Sequence, residues 1–416
     1  MVDQFRRCLS TRVVGAAATL AIVLSTAPSH ADEAALTRAR VVEFAKAAPA
    51  ARVAEFEAAV VGATVTAAGV LSLENPVLSG LGGVRFNPDG SKRFSGTATL
   101  SWPVEIAGQR GARVDAARAE HRAALATVEN TKRRAVLGAL LQHALVLRDE
   151  QQLRIAASRR AFSQRLLFTA EKRRKAGSVP ELDVILTALQ QQRDASAEAA
   201  VQGTRDADKT ALLTLLGKTN ENPPVVGTLV PAGEVSPQEE MIRNVPQRTD
   251  VRAAVAALDA ARAKSTSERA ARWPAVNVQA QYQRDDNSDT VMIGLSIPLP
   301  VLNANRANVL TSAAEIGVAK ARLQGSTLAA AGEIKQLQER YAATRRALEL
   351  LAPTVALVAQ SVDLAARGYE LGEGDLTSVL LVRREALDAQ SALLEAQLAH
   401  ANAKIELLIA IGRTPQ

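Results

Sequence analysis

The stretch FSGTATLSWPVEIAGQRGARV, from Phe94 to Val114, carries a strictly alternating strand through Trp102-Pro103 into the start of a very long helix, and it occurs twice. Ser101, Pro103, Ala112, Val114 and Glu120 recur as Ser296, Pro298, Ala307, Val309 and Glu315, all displaced by 195 positions (296 − 101). Further along, Gly177 with Gly372, Val184 with Val379, Ile185 with Leu380 and Gly217 with Gly412 keep the same offset. Two like units follow, and the chain must fold into something that uses the strand-to-helix joint twice.

In the first copy, Phe94, Gly96, Ala98, Leu100 and Trp102 fall on one face of the strand, and Ser95, Thr97, Thr99 and Ser101 on the other. Its partner is the Gly-rich run Val77 to Phe86, joined to it by the turn signal Asn87-Pro88-Asp89-Gly90. In the second copy Val276, Val278, Ala280 and Tyr282 alternate with Asn277, Gln279, Gln281 and Gln283. Past a polar turn at Arg284 to Asp289, the residues Val291, Ile293, Leu295, Ile297 and Leu299 share a face. Two hairpins, about 77–103 and 275–299, thus supply four strands. Strands of about ten residues with one apolar and one Ser/Thr/Asn/Gln face match a transmembrane β-barrel, where about 9 to 11 tilted residues cross the bilayer. Half-buried soluble hairpins show the same alternation and stand as the alternative.

After each hairpin the pattern turns helical on a scale beyond ordinary globular domains. No proline lies between Pro103 and Pro180, and an unbroken helix from Gly111 to Gly177 would rise about 100 Å. In the second copy Ile334, Leu337, Tyr341, Thr344, Leu348, Leu351, Val355, Val358, Val362, Ala365 and Tyr369 follow a 3,4 spacing, a left-handed coiled-coil seam. Pro353 falls within that run and predicts a bend or a stacked junction. The returning helix carries two apolar stripes, one through Val379, Val382, Ala386, Leu393 and Leu407, the other through Leu380, Leu387, Leu394, Leu398 and Ile405. Two stripes touch a neighbour on each side, as staves do in a cylinder wall, although an antiparallel bundle would use them too.

Only 3% of the residues are aromatic while 47% are hydrophobic, much of that alanine, which favours closely packed helices over a thick core. Arg6, Arg7 and Arg12, the apolar run Val13 to Leu24 and then Ser29-His30-Ala31 predict a signal peptide over residues 1–31, cleaved after Ala31. The single cysteine, Cys8, lies ahead of that site, so the mature chain would have neither a lipid-anchored Cys nor a disulfide. No later stretch offers about 18 uninterrupted apolar residues, so no transmembrane helix is expected. Removing residues 1–31 takes three Arg and one Asp, leaving a net charge of +5 (7 − 3 + 1), a mixed-charge surface without the aromatic-basic clusters of nucleic-acid binding. The remaining order is a first repeat at 32–217, with Pro49 breaking its opening helix, a Pro-rich linker at 218–247, and a second repeat at 248–416.

The long helices reverse at Ala176 to Pro180 and at Gly368 to Leu376, where glycine, as at Gly177 and Gly372, permits the left-handed residue that ends a helix. Glu181, Asp183, Glu373 and Asp375 gather there, either as aperture charges or as caps of the returning helices. Catalytic constellations are absent, and no cofactor is expected. Glu120-His121 lacks the second His of a helical zinc site, and His121 and His143 read as helix-surface residues. Met241 and Met292, the only mature methionines, make no soft-metal cluster, and Gly80-Leu81-Gly82-Gly83 reads as strand glycine.

Taken together, Asn75-Pro76-Val77-Leu78, SWPVEIAGQRGARV with its copy SIPLPVLNANRANV, RTDVRAAVAALDAARA at Arg248 to Ala263, and WPAVNVQAQY at Trp273 to Tyr282 give a chain that resembles the TolC-type outer-membrane efflux proteins from about Asp32 to Gly412. The resemblance implies a mixed α and β fold dominated by long α-helices. Two tandem repeats would each contribute a hairpin to a trimeric 12-stranded outer-membrane β-barrel in lipid, and coiled-coil helices to a periplasmic α-barrel. Length, the Asn-Pro-Val-Leu lead-in and the short outer turns are most similar to the branch serving cobalt-zinc-cadmium and related metal exporters. On that branch the partners would be a periplasmic adaptor and a proton-driven resistance-nodulation-division pump, with Gly177, Ser178, Gly372 and Gly374 at the docking tip. The family's second-copy gate aspartates fall here on Ser378 and Leu381, and Asp183 alone keeps the first-copy spacing. By the same resemblance Trp102 and Trp273 would mark the periplasmic rim of the barrel, as interfacial aromatics do. A duct for drugs or secreted polypeptides shares every one of these features; a soluble periplasmic coiled-coil adaptor is the alternative of a different class.

Overall fold

The computed structural model describes residues 35–232, 244–285, 288–301 and 303–415, so the expected signal peptide and Cys8 lie outside the described residues. Helix α1 (Arg38–Lys46) leads to α2 (Pro49–Ala68), whose Pro49 occupies the first turn, where a missing N–H is harmless. Strands β1 (Val77–Phe86) and β2 (Lys92–Val104) follow, then α3 (Gln109–Lys175) and α4 (Glu181–Leu216). After a 3-10 turn at Val245–Gln247 the second copy repeats the order as α5 (Thr249–Ala270), β3 (Val276–Asp285), β4 (Ser288–Ser296), α6 (Arg306–Leu371) and α7 (Leu376–Ala410). With 67 and 66 residues, α3 and α6 are each about 100 Å long. Pro353 lies inside α6 without interrupting it, so no stacked junction forms there. Gly177 and Gly372 end these helices at φ 72° and 86°, the left-handed conformation their sequence offset predicts.

All four strands form one antiparallel sheet in the order β1-β2-β3-β4, the two copies meeting along β2 and β3 with Leu100 opposite Ala280 and Trp102 opposite Val278. The ladder of the second hairpin closes at Asp285 opposite Ser288, well inside the expected turn. At its other end β4 stops at Ser296, so Ile297 and Leu299, expected on the strand, lie beyond it. Pro298 and Pro300 explain this, because neither has an N–H to donate to a ladder.

Along α6 the seam is real: Ile334, Leu337 and Tyr369 are buried and Leu348, Leu351, Val355, Val358, Val362 and Ala365 half-buried. The intervening Leu350, Leu357 and Leu364 are exposed. Both stripes of α7 are used. Leu407 and Ala410 pack on Ala330, Ile334 and Leu337 of α6. Leu394, Leu398, Ala401 and Ile405 pack with Leu140 and Leu147 of α3 and Leu212 of α4. Helix α7 is therefore held on two sides, as a helix inside a wall is.

The segment after α4 belongs to this core and does not form a separate body. Leu36 N donates to Pro224 O (2.8 Å) and Val226 N to Leu36 O (3.2 Å). Two buried cations donate to its carbonyls, Arg38 Nη2 to Thr228 O (2.7 Å) and Lys404 Nζ to Pro231 O (2.8 Å). Burial, and then the nearby Arg38, lower the Lys404 ammonium below its ordinary range.

His143, expected on a helix surface, is buried at 1% exposure beneath this segment. A spacing along one helix reveals the face a residue occupies, not what later covers it. Its Nε2 stands 3.3 Å from Leu36 O, which can only accept, so the neutral ring carries its proton there. Burial pushes its pKa from 6.5 down to about 4. Between those values the unfolded chain binds the proton more tightly, so stability present above pH 6.5 is lost as pH falls toward 4, by about 3 kcal/mol. Thermal unfolding of the detergent-solubilised protein across this window should show that loss in the wild type and a flatter profile in His143→Gln, which keeps a donor. An equal loss in both proteins would remove His143 as the cause.

Candidate functional site

Three regions of the fold can act: the sheet, the helical wall and the tip. On the two central strands the polar residues Ser95, Thr97, Thr99 and Ser101 and Asn277, Gln279, Gln281 and Gln283 are half-buried, while Phe94, Leu100, Trp102, Val278 and Tyr282 are exposed. A soluble hairpin does the reverse, turning its apolar face inward. Ile293 is 81% exposed and Leu78 74%, so the bare apolar surface extends across the sheet to its outer strands. Gly82 and Gly96 on this face leave space that Phe94 fills, since a Cβ on Gly96 would meet the Phe94 ring at 3.0 Å. The opposite face carries an ion pair, Arg85 to Asp285 at 2.5 Å. Trp102 pairs with Val278 near the start of β3 and Trp273 precedes that strand, so the two tryptophans share one end of the sheet. At the same end Gln109 Nε2 donates to Trp273 O (2.9 Å), tying the first turn of α3 to the second copy.

In the wall, α3, α4 and α7 meet at a carboxylate that the sequence reading passed over. Asp194 on α4 is 1% exposed. It accepts from Arg383 of α7, from Arg159 Nη2 of α3 (3.3 Å) and from Gln190 Nε2 (3.0 Å). Arg383 also donates to Arg159 O (3.0 Å) and lies over the Phe162 ring at 4.9 Å. Nothing in the local pattern marks Asp194, because its partners stand 35 and 189 residues away. A second buried carboxyl, Asp149, is pushed up to about 7 by desolvation and by the neighbouring Asp208 carboxyl.

At the tip Ser178 N donates to Arg173 O (2.9 Å) and Gly177 N to Arg174 O (3.0 Å), a Schellman closure. The second turn is tighter: Glu373 N and Gly374 N both donate to Gly368 O, at 2.9 and 3.0 Å. The four acidic residues separate by role. Asp375 caps α7, its Oδ1 accepting from Ser378 N at 3.2 Å, and the Ser378 side chain first, with this backbone bond after it, holds its carboxyl below the usual range. Glu181 lies 3.8 Å from Arg174, and Glu373 is exposed. Asp183 accepts from the Tyr369 hydroxyl at 3.4 Å, which links the first copy to the second. Arg173 completes that link: its Nη1 donates to Tyr369 O at 2.6 Å and its guanidinium stands 4.6 Å from the ring centroid. Tyr369 is 1% exposed among Leu166, Leu376 and Val379, and burial raises its hydroxyl pKa. Sequence reasoning placed Tyr369 on the seam but did not find its partners. Among the described residues no group of three or more His, Asp, Glu or Cys side chains is arranged to hold a metal ion.

A profile of the family described as outer membrane efflux protein matches residues 45–218 and 245–413. The chain is 23% identical over 324 residues to a cobalt-zinc-cadmium resistance protein, CzcC, of Cupriavidus metallidurans, covering 77% of this chain and 74% of that protein. Its fold is similar to the outer membrane protein VceC of Vibrio cholerae, with a TM-score of 0.73 and 20% identity over 90% of this chain and 96% of that one. CusC is similar as well, with a TM-score of 0.74 and 18% identity over 90% and 92%.

Proposed function

Because the chain belongs to the outer membrane efflux protein family, whose members are outer-membrane components of tripartite efflux systems, we propose that it is the passive exit duct for heavy-metal cations such as cobalt, zinc, cadmium or nickel. The observation that carries the duct is the inverted pair of central strands, β2 and β3, with their apolar side chains bare and their polar side chains half-buried. Such a face suits lipid, but β1 and β4 each leave an edge unpaired in the four-stranded sheet. Open edges are intolerable in a bilayer, so three copies close a twelve-stranded barrel, β4 of one pairing with β1 of the next. The α3–α4 and α6–α7 hairpins then continue the barrel as a helical tunnel. Trp102 and Trp273 mark its membrane rim, and Gly177, Ser178, Gly372 and Gly374 form the end that docks a periplasmic adaptor serving a resistance-nodulation-division pump. The likeness to CzcC supports the choice of metal cations.

One experiment tests cargo and docking together. A strain lacking the gene should accumulate cobalt, zinc or cadmium and recover on complementation. In the complemented strain Ser178→Cys, in a mature chain otherwise free of cysteine, should cross-link to the adaptor. Unchanged metal content with a drug or secretion defect instead would replace the cargo, and a mature chain extracted as a soluble monomer would overturn the duct.

A further inference from the structure

A cleft of about 650 Å³ opens between α3, α6 and α7, at the level of the buried Asp194. Its size is that of a small-molecule site. Four guanidinium groups line it, those of Arg154, Arg159, Arg165 and Arg383, against one carboxylate, Asp363. Asp194 stands behind the wall and neutralises only part of this charge.

Arg383 is the informative residue. Its side chain is 6% exposed, and Nη2 is engaged by Asp194 and Arg159 O, yet the buried Nη1 has no hydrogen-bond partner. Arg159 Nε is buried without a partner as well. A buried N–H of a cation left empty is unfavourable, and an oxyanion in the cleft would satisfy it once the Arg383 guanidinium turns toward the opening. Arg154 and Arg165 are exposed at the mouth, with no carboxylate among the described residues in ion-pair contact with either. Phe162, Val362 and Leu387 supply apolar lining, beside the uncharged polar Gln151, Ser158 and Gln390. Clustered cations repel a metal ion, so this is no station for a cationic cargo. A charged head with an apolar body meets both parts of the lining.

We propose that this cleft binds an amphiphilic organic anion, its carboxylate or phosphate received by Arg383 Nη1 between Arg154 and Arg165 and its apolar body resting on Phe162 and Leu387. The ligand joins α3 of the first copy to α6 and α7 of the second, whichever solute the duct passes.

Calorimetric titration of the full-length protein in a non-ionic detergent tests this with 2-naphthoate, 1-naphthyl phosphate, neutral 2-naphthol and inorganic phosphate. At least one naphthyl anion should bind about tenfold or more tightly than 2-naphthol and than inorganic phosphate, which is about 1.4 kcal/mol. The tighter of the two anions identifies the head group as carboxylate or phosphate. Arg154→Glu with Arg165→Glu, both at the exposed mouth, should weaken that binding about tenfold or more without lowering the unfolding temperature. Phe162→Ala should weaken the naphthyl anions and leave inorganic phosphate unchanged. Anion binding matched by 2-naphthol, or by inorganic phosphate, or untouched by the charge reversals, overturns the proposal.

Discussion

Replacing Asp194 with alanine should destabilise the helical wall by about 3 to 5 kcal/mol, because it strands Arg383 and Arg159 without their shared counter-ion. Both sides of the main pair are largely buried, with Asp194 at 0% and Arg383 at 6% side-chain exposure, so water replaces the lost bonds poorly. The loss should fall on the contact between the first-copy hairpin and α7, since Asp194 lies on α4 and Arg383 on α7. Combining Asp194→Ala with Arg383→Met should recover much of the stability, as apolar pairs replacing buried ion pairs often do. Urea unfolding of the solubilised protein, read for both variants, checks this. A double variant as unstable as the single one would show that the cluster acts through packing and not through charge.

The second large effect belongs to the sheet. Ile293 lies midway along β4 opposite Ala280, on the bare apolar face. Arginine there should oppose membrane assembly by about 2 to 4 kcal/mol per chain, the range for a cation near the bilayer midplane. Its neighbour Met292 points to the polar face beside Gln281, so Met292→Arg should assemble normally. The yield of barrel recovered from the outer-membrane fraction distinguishes the two. Equal yields would mean that the exposed face does not meet lipid, and the duct reading would fall with it.

Strand and helix were legible wherever they depend on local pattern. Alternation marked β2 and β3 with their faces, the 3,4 spacing marked the α6 seam, and the 195-residue offset predicted that Gly177 and Gly372 would end equivalent helices. Local pattern also misled where it ran on past its physical stop, as at Ile297 and Leu299, which alternate correctly but follow Ser296, the last residue of the ladder, among prolines. For the tip, the acidic residues were visible and their roles were not: Asp375 turned out to cap, whereas Asp183 reaches across to Tyr369.

Periodicity, glycine placement and duplication are properties of neighbouring residues, so the amino-acid sequence alone determined the long helices, the two hairpins, the turns at their ends and the two-faced strands. It could not determine which distant side chains would meet. His143 under the linker, Asp194 between two arginines and Arg173 against Tyr369 are joined across 107, 189 and 196 residues. Such contacts form only when distant segments of the chain lie side by side, and their energy comes from a burial that no single helix provides. For that reason the tertiary structure, and not the local pattern, decided the ionic cluster, the buried histidine and the linked tip.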